Sequence, residues 1–579
     1  MVNITTDGSV QGTNAIQRSG NVYTFTSNLE EASIVIEASN IVLDGAGFTL
    51  QGEIYKINGD NVEIKNLKIN SPATAIEIYG SSCKITNNEI QAEYGGIRIR
   101  NTNNHIISGN KIDAKVEAGI AFGTSSYNAV TENTIATSIM VGGVDLVSSD
   151  YNTFSRNTIH FISLYKSSYN ILDGNNLPQG ISIRNKSNYN NITENYIIDF
   201  NELTETNFMS SGSITIERGE GNIVSSNTIV NSGGIFITTS SNNVFRNNSV
   251  SGPGKGFEVS GSPQPSLSSF INDIDDSNTI NGKKIYYLLD KSDLSINPST
   301  YPNIGYLALV NCKRMTVENN HLNKQGILLA WTTDSQIKNN DISNNYGDGV
   351  ILNSASNNKI TNNNLTSNSG AGIILRSSNQ NLISGNHITR NQKGISFGYS
   401  SSNNTITHNN IADQGTGLYF HVSSSNLIYS NNFVNNTKQV HDVSWGAPDQ
   451  NYPGAPPPSE NIWDHGYPVG GNYWSNYTNQ YPDAKELDSS GIWDTPHVID
   501  ENNQDRYPLL NPLTILPFQV PKVPDGETPI TPTEVIIVDY GMNPLLYILG
   551  IVAVVIIAII ILAGLAVYFK KRRRGLDAV

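Results

Sequence analysis

Neighbouring carboxylates are the first residues of this sequence that could carry chemistry, because two acids held close together can cleave a glycosidic bond as acid and base or nucleophile. Asp275 and Asp276 form such a pair, and Lys283 and Lys284 follow shortly after it. The pair is therefore the catalytic candidate of the chain, at a lip that could bind or cleave a ligand. A surface loop with solvated charges is the alternative interpretation.

A second group of acids lies towards the C-terminal end of the chain. Carboxylate oxygens are the ligands that Ca²⁺ prefers, so a concentration of acids makes calcium the one cofactor that the sequence indicates. The alternative is that these carboxylates are solvated in a cap structure. The candidate calcium ligands are Asp488, Asp494, Asp500, Glu501 and Asp505.

Tryptophans are concentrated in the same region, which holds four of the five in the chain. Aromatic faces can stack on sugar rings, so these residues are candidates for a glycan-binding platform. Large rings also cover the open end of a repetitive fold well, and a C-terminal cap is the second interpretation. The four residues are Trp445, Trp463, Trp474 and Trp493.

The elements that must position these residues follow from a repeat of 22 or 23 residues. Gly349, Gly372, Gly394 and Gly417 each open a short apolar strand, and two further short strands complete each unit. Such a unit leaves no room for a helix, and its period is typical of a solenoid. The repeat therefore predicts an all-β, right-handed parallel β-helix with three strands per turn. The recurring apolar positions, Ile342, Leu365, Ile388 and Ile411, should stack inside it.

Asparagine recurs with the same period, two residues before the last apolar position of each unit. A short amide tolerates a left-handed corner and can bond to the same residue one turn further, as in stacked cross-β structures. We expect a structural ladder, which is formed by Asn66, Asn88, Asn110, Asn133, Asn157, Asn175, Asn195, Asn227 and Asn248, and later by Asn320, Asn340, Asn363, Asn386, Asn409 and Asn431.

The domain organisation follows from where this pattern begins, lapses and ends. We expect an N-terminal cap at residues 1–40 and the β-helix at 41–440, with a loop interrupting it at 251–302 and a smaller insertion near 201–211. An aromatic C-terminal cap at 441–510 follows. Residues 511–544 are rich in proline and predict a stiff stalk. Residues 545–569 carry no charge and are long enough to cross a bilayer.

The basic run at residues 570–574 directly follows the predicted span, which places the tail 570–579 in the cytoplasm and the body outside. Without that tail the chain has 31 basic and 49 acidic residues, a balance of −18. A body this acidic argues against nucleic acid as a partner. Cys83 and Cys312 are too far apart along the repeat for a disulfide and are expected to be free thiols.

An extracellular body would expose sequons for N-glycosylation, which require Asn-x-Ser/Thr. Eight occur, although a chain so rich in these residues also produces them by chance. The candidate acceptors are Asn3, Asn185, Asn191, Asn247, Asn364, Asn403, Asn435 and Asn476.

The repeat, together with four other segments, resembles the archaeal-type surface β-helix proteins that are grouped with NosD and with carbohydrate-binding and sugar-hydrolysing β-helices. These segments are 41–47 (IVLDGAG), 281–288 (NGKKIYYL), 471–477 (GNYWSNY) and 494–500 (DTPHVID). The resemblance spans residues 1 to about 515 and implies a cell-surface β-helix that binds glycans. It also implies a copper-related accessory role, but copper sites use Cys, Met and His, of which the chain has 2, 5 and 9.

Two classes of function therefore remain open. The first is a membrane-anchored scaffold or binding rod, whose partners are the membrane, polysaccharides or other surface proteins. The alternative is a polysaccharide lyase or glycoside hydrolase of the β-helix type, which needs convergent titratable groups in a cleft. A NosD-like copper accessory protein is the third hypothesis.

Overall fold

The computed structural model describes residues 1–138, 142–198, 213–261, 265–443, 459–516 and 518. The chain divides into a unit from Met1 to Pro521 and a second unit from Lys522 to Val579, and the second lies outside the described residues. Trp445, the insertion near 201–211, most of the stalk, the predicted span and its basic tail also lie outside them. Among the described residues no helix is long and apolar enough to cross a membrane.

The first unit is a right-handed parallel β-helix of about 18 turns, as predicted from the repeat. Each regular turn contributes three short strands, and each strand pairs in parallel with the equivalent strand one turn further within two successive stacks. The first stack ends at Gly256–Ser260, Asp273–Ile274 and Thr279–Ile280, and the second begins at Lys283–Leu289, Ser295–Ile296 and His321–Asn323. The stacked strands form three faces, here called face 1, face 2 and face 3 in chain order within a turn.

The strands of face 1 are Val2–Ile4, Leu29–Ile36, Thr49–Ile57, Ile76–Ile78, Ile97–Arg100, Ile120–Gly123, Val144–Val147, Ile162–Tyr165, Gly180–Arg184, Ser213–Glu217, Gly234–Thr238, Gly256–Ser260, Lys283–Leu289, Ile304–Val310, Ile327–Ala330, Val350–Asn353, Ala371–Arg376, Lys393–Gly398, Thr416–Phe420 and Lys438–Asp442. Two of them, Leu29–Ile36 and Thr49–Ile57, are long and continue from face 3 into face 1.

The strands of face 2 are Val22–Phe25, Val42–Asp44, Glu63–Lys65, Lys84–Thr86, Ile106–Ser108, Ala129–Thr131, Thr153–Ser155, Ile171–Asp173, Asn191–Thr193, Ile223–Ser225, Val244–Arg246, Asp273–Ile274, Ser295–Ile296, Thr316–Glu318, Gln336–Lys338, Lys359–Thr361, Leu382–Ser384, Thr405–Thr407 and Leu427–Tyr429.

The remaining strands of face 3 are Lys68–Ser71, Glu89–Ala92, Lys111–Ala114, Thr134–Thr137, Thr158–Ile159, Tyr196–Ile198, Thr228–Val230, Ser249–Ser251, Thr279–Ile280, His321–Asn323, Asp341–Ser343, Asn364–Thr366, His387–Thr389, Asn410–Ala412, Asn432–Val434 and Tyr473–Trp474. Near the N-terminus, Val10–Gln11 pairs antiparallel with Val2–Ile4, and Ile16–Ser19 pairs antiparallel with Val22–Phe25. In the C-terminal cap, His497–Val498 pairs antiparallel with Gln504–Asp505. The helices described are a 3₁₀ turn, Leu267–Phe270, and one α-helical turn, Tyr477–Gln480.

The core inside the three faces consists of two apolar clusters, one running from Val2 to Ala330 and the other from Tyr286 to Tyr477. Ile342, Leu365, Ile388 and Ile411 stack in direct register on face 3, and all four are fully buried, as predicted. A fully buried Ile or Leu side chain contributes about 1.5–3 kcal/mol. Each turn therefore adds its own stabilising contribution, which is why the inward positions stay apolar along the rod.

The asparagine ladder is present, with one correction to its geometry. In Asn363 the side-chain Oδ1 accepts from the backbone N–H and the Nδ2 of Asn340, and its own Nδ2 donates to Oδ1 of Asn386. These side chains are buried, and the left-handed corner lies one residue earlier, as at Asn362 with φ 55°. The prediction that one residue does both jobs is wrong, because the ladder amide must point inward while the corner residue points outward.

The first member of the predicted ladder is also displaced by one position. Asn66 is a corner residue with φ 53°, and the backbone N–H of Leu67 donates to Oδ1 of Asn88. The ladder therefore begins at Asn88, with Leu67 in the equivalent place one turn before.

Parallel stacking begins earlier than the expected boundary at residue 40. Strand Val22–Phe25 pairs in parallel with Val42–Asp44, and Leu29–Ile36 pairs in parallel with Thr49–Ile57. Within residues 1–40, two antiparallel pairs depart from the solenoid pattern: Val2–Ile4 with Val10–Gln11, and Ile16–Ser19 with Val22–Phe25.

The segment 251–302 differs from the single loop expected there, because five strands within it belong to the rod. Gly256–Ser260 pairs in parallel with Gly234–Thr238, and Lys283–Leu289 pairs in parallel with Ile304–Val310. The spacing lapses because Thr279–Ile280 turns back antiparallel onto the start of Lys283–Leu289, which inserts a hairpin into the solenoid. Tyr287 and Ile285 are buried in the core, so this segment does not lie outside the rod.

Candidate functional site

Asp275 and Asp276 lie at the end of face 2 and bind different cations. The carboxylate of Asp276 pairs with the ammonium of Lys284 at 2.7 Å, and that hydrogen bond raises the pKa of Lys284. Asp275 forms an ion pair with Nε of Arg246 at 3.1 Å and accepts from the hydroxyl and backbone N–H of Ser277. Each carboxylate is thus engaged in a local structural bond, and the two do not face one common point.

Asp505, one of the five predicted calcium ligands, is the centre of the C-terminal cap. It is fully buried, and its Oδ2 accepts from the backbone N–H of Asn472 at 2.7 Å and from the indole N–H of Trp474 at 2.9 Å. Its Oδ1 accepts from the backbone N–H of Tyr507 at 3.1 Å. Burial raises the pKa of Asp505 to about 7, while these hydrogen bonds lower it.

The other predicted calcium ligands are spread over the cap. Asp494 accepts from the backbone N–H of Lys485, which lowers its pKa, and Asp488 accepts from the hydroxyl of Tyr467. Asp500 accepts from the side-chain amide of Asn503. Within the described part of the chain, no three His, Cys, Asp or Glu residues come close enough to hold a metal ion. The five acids, Asp488, Asp494, Asp500, Glu501 and Asp505, therefore do not form the ligand set that calcium requires.

The cap tryptophans close the core. Trp474 stacks on Phe433 with ring centroids 4.5 Å apart, and Trp463 packs edge-on against Phe420. Both indoles are 1% exposed, so they cannot meet a sugar ring, and the glycan-platform interpretation is wrong for these two. Trp493 is half-buried and stacks on Tyr477.

The sequons differ in how far their asparagines are exposed. Asn247, Asn403 and Asn435 are exposed corner residues with φ between 53° and 57°. The remaining five, Asn3, Asn185, Asn191, Asn364 and Asn476, are half-buried. If the body is glycosylated, the three corner positions are the accessible acceptors.

A groove that the sequence did not reveal runs along the bend between face 3 and face 1, with a volume of about 820 Å³. Its floor consists of small residues from successive turns, since Ala32 pairs with Gly52 and Ser71 pairs with Ala92. Gly52 is required there: a Cβ would lie 2.0 Å from the carbonyl oxygen of Ala32. Small side chains at one bend of several turns leave the surface concave.

Polar side chains from four successive turns line one wall of this groove. Gln51 pairs with Asn70, Asn70 with Gln91, and Gln91 with Asp113, so their side chains form a row spaced by about 4.8 Å. All four are half-buried or exposed. Amides offer both hydrogen-bond donors and acceptors, which matches the hydroxyl groups of a saccharide.

Three charged residues of the groove, Lys115, Glu93 and Glu53, are held by specific partners. Lys115 donates to Glu93 at 2.7 Å, and this hydrogen bond raises the pKa of Lys115. The hydroxyl of Ser33 donates to Glu53. The groove is therefore a polar surface with oriented side chains.

An exposed column of four tyrosines follows the corner between faces 1 and 2. Tyr127, Tyr151, Tyr169 and Tyr189 stack with centroids 5.0, 4.9 and 5.2 Å apart, and each is between 46% and 60% exposed. Each has a left-handed φ, which a bulky residue rarely adopts. The sequence carries a signal for this column, the motif Ser-x-Tyr-Asn repeated four times, which the ladder of asparagines obscured.

Two family models match the chain. One is described as a periplasmic copper-binding protein (NosD) and matches residues 27–207 and 268–479. The other is described as a right handed beta helix region and matches residues 137–300. Comparison with curated proteins gives no match.

Several solved structures are similar in fold. The PL6 family alginate lyase AlyGC is 9% identical, with 78% of this chain and 95% of that chain covered and a TM-score of 0.27. A DFA-IIIase from Arthrobacter chlorophenolicus A6 is 14% identical over 45% of this chain and 71% of that one, with a TM-score of 0.26. The Azotobacter vinelandii mannuronan C-5 epimerase AlgE4 A-module is 11% identical over 71% and 88%, with a TM-score of 0.18. At these values the similarities carry no statement about activity.

The residues described do not fit a copper centre. Cys83 and Cys312 are free and buried, and burial raises the pKa of both thiols, that of Cys83 to about 11, away from the thiolate that binds metal. His441, His465 and His497 pack against different aromatic rings. The match thus rests on the β-helix and its C-terminal cap, and over more than half of its length this chain belongs to the NosD family.

Proposed function

We propose that this protein is an exported rod that binds polysaccharide on its outer surface. The observation that carries the proposal is the groove between face 3 and face 1, where Gln51, Asn70, Gln91 and Asp113 form one row in register. A linear saccharide repeats its hydroxyl groups along its length, so a repeating row of amides and carboxylates provides matching hydrogen-bond partners.

Binding is favoured over cleavage because cleavage needs titratable groups that converge on one bond. In the groove, Glu93 is paired with Lys115 and Glu53 with Ser33. Outside it, Asp275 and Asp276 are paired with different cations.

The proposal places the body outside the cytoplasmic membrane. It is supported by the uncharged residues 545–569 with the basic run 570–574 behind them. The family description, periplasmic, also supports export. The rod would then be anchored by one C-terminal span, with polysaccharides or other surface proteins as its partners.

The test uses the full chain in detergent micelles on an array of linear polysaccharides. Replacing both Asn70 and Gln91 by Ala should weaken binding about tenfold, since two hydrogen-bonding side chains are lost. The matched control is Gln336→Ala, because Gln336 is exposed on face 2, away from the groove. Equal loss in the control variant, or no binding by the unmodified protein, would contradict the proposal.

The same samples should be assayed for reducing ends and for unsaturated uronides. Binding without release of sugar is the expected result. Release that disappears when Asp275 and Asp276 are changed to Asn would establish the lyase or hydrolase alternative instead.

A further inference from the structure

A cluster of cations lies on face 1 near the C-terminal end of the rod, although the chain as a whole is acidic. The ammonium of Lys393 lies 3.5 Å from the centre of the Tyr419 ring. The ring of His441, whose pKa is lowered by burial, lies 5.7 Å from that of Tyr419. Lys438 pairs with Thr416 in register, and Thr416 pairs with Lys393, so both lysines lie along the same edge of the face.

The floor between these charges is apolar and aromatic. Ile351, Ile374, Ser396, Tyr419 and His441 occupy the same outward position on five successive turns. The spacing of about 4.8 Å per turn gives a flat strip along the rod. Ile351, Ile374 and Tyr419 are only partly buried, so their apolar surface is open on this face.

Lys393 is held at this strip without a carboxylate partner. Within the described residues no carboxylate oxygen comes within 4.0 Å of its ammonium, and partial burial lowers its pKa, against the opposing effect of Asp348. Asp348 itself accepts from the backbone N–H of Ala371, and Arg376 reaches towards it at 3.9 Å. Two cations, Lys393 and Arg376, therefore compete for one acid that is already hydrogen-bonded.

Unpaired buried amides lie at the other end of the strip. Nε2 of Gln325 and both side-chain polar atoms of Asn345 have no hydrogen-bond partner, and these residues are 5% and 3% exposed. They line a small cavity of about 20 Å³ that Asp348 and Ile351 also line. A cavity of that size admits one oxygen-sized group, and buried amides normally have partners. The cavity is therefore a place where one polar atom, of a water molecule or of a ligand, would be bound.

We propose that this strip of face 1, from the cavity at Gln325 to His441, binds a saccharide that carries carboxylate groups. The aliphatic faces of the sugar rings pack on Ile351, Ile374 and Tyr419, and a carboxylate pairs with Lys393 and Arg376. A hydroxyl or ring oxygen at the end of the chain reaches the amides of the cavity. This site is separate from the groove between face 3 and face 1. It rests on the proposed function only for the class of ligand, a saccharide.

The test measures binding of an oligogalacturonate and of a neutral oligogalactan of equal length to the full chain by calorimetry. The oligogalacturonate should bind more tightly, and raising the salt concentration should weaken that binding, because ion pairs at a surface are screened. Lys393→Ala should weaken oligogalacturonate binding about tenfold and leave the neutral ligand unaffected. Lys359→Ala is the matched control, since Lys359 is an exposed lysine of face 2.

A second readout is the acylation of lysines by an amine-reactive reagent, followed by mass spectrometry. Bound oligogalacturonate should protect Lys393 and leave Lys359 unprotected. Equal binding of the charged and neutral ligands, or equal effects of the two lysine variants, would overturn the inference. If the variant of Asn70 and Gln91 lost all binding of oligogalacturonate while Lys393→Ala lost none, the inference would be overturned and the proposed function would stand.

Discussion

Replacing Asp505 by Ala should unfold the C-terminal cap, because one carboxylate satisfies three N–H groups inside it. The donors are the backbone N–H groups of Asn472 and Tyr507 and the indole N–H of Trp474, at 2.7, 3.1 and 2.9 Å. Asn472 is itself the last ladder amide, accepting from Asn431 of the preceding turn. The side chain of Asp505 thus ties the cap to the end of the rod.

The magnitude follows from the donors left behind. A buried donor without a partner costs about 1–3 kcal/mol, so three of them in one place cost roughly 3–5 kcal/mol after partial relaxation. Asp505→Asn keeps one acceptor oxygen and should cost about half as much. Asp483→Ala is the control, since Asp483 is an exposed acid of the same cap, and it should change stability by less than about 0.5 kcal/mol.

The assay is urea unfolding followed by tryptophan fluorescence, because Trp474 donates to the substituted side chain and Trp463 packs against Trp474. Solenoids lose their ends before their centres, so hydrogen exchange of the strand Tyr473–Trp474 should accelerate while that of central strands does not. An Asp505→Ala protein that unfolds at the same urea concentration as the unmodified chain would refute the role given to this carboxylate.

Two further predictions concern the ladder and the pH dependence of the cap. Asn363→Ala removes bonds to both neighbouring turns and should cost about 3 kcal/mol, measured by local hydrogen exchange, whereas Asn362→Gly at the exposed corner should be nearly neutral. Burial lowers the pKa of His497 to about 4, so between pH 6.5 and 4 the unfolded chain takes up a proton that the folded cap does not. The protein should therefore lose stability relative to a His497→Phe variant as the pH falls through that range in urea titrations. Asp505 titrates in the opposite direction, but it is present in both proteins. A difference in stability between the two proteins that stayed constant from pH 6.5 to 4 would therefore contradict the lowered pKa of His497.

The fold could be predicted from the sequence because stacking repeats its requirements every turn. An inward position must be apolar in each turn, as at Ile388 and Ile411, and a ladder position must carry an amide, as at Asn386. These requirements recur once per turn, so the residue types in the sequence repeat with the same period. The hairpin at Thr279–Ile280 breaks that period, and the sequence alone does not distinguish a loop from a strand that turns back.

The sites could not be predicted in the same way, since outward positions have no common requirement. Gln51, Asn70 and Gln91 share a row only through the register of their strands, and their residue types do not repeat. The burial of Trp474 could not be predicted from the sequence either, because a large aromatic ring suits both a cap and an exposed platform. What decided it was the position of Phe433 beneath the indole.

The same register that builds the core also determines which ligands such a rod can bind. Any outward-facing position has an equivalent position about 4.8 Å away on the next turn, so the natural sites on a β-helix are rows and strips that run along its axis. The groove row at Gln91 and the strip at Tyr419 both have this form. A compact metabolite would contact one or two members of a row, whereas an extended polymer contacts them all. The architecture therefore favours polymeric ligands, and differences in charge between strips, such as Lys393 against the amides of the groove, provide a basis for selecting among them.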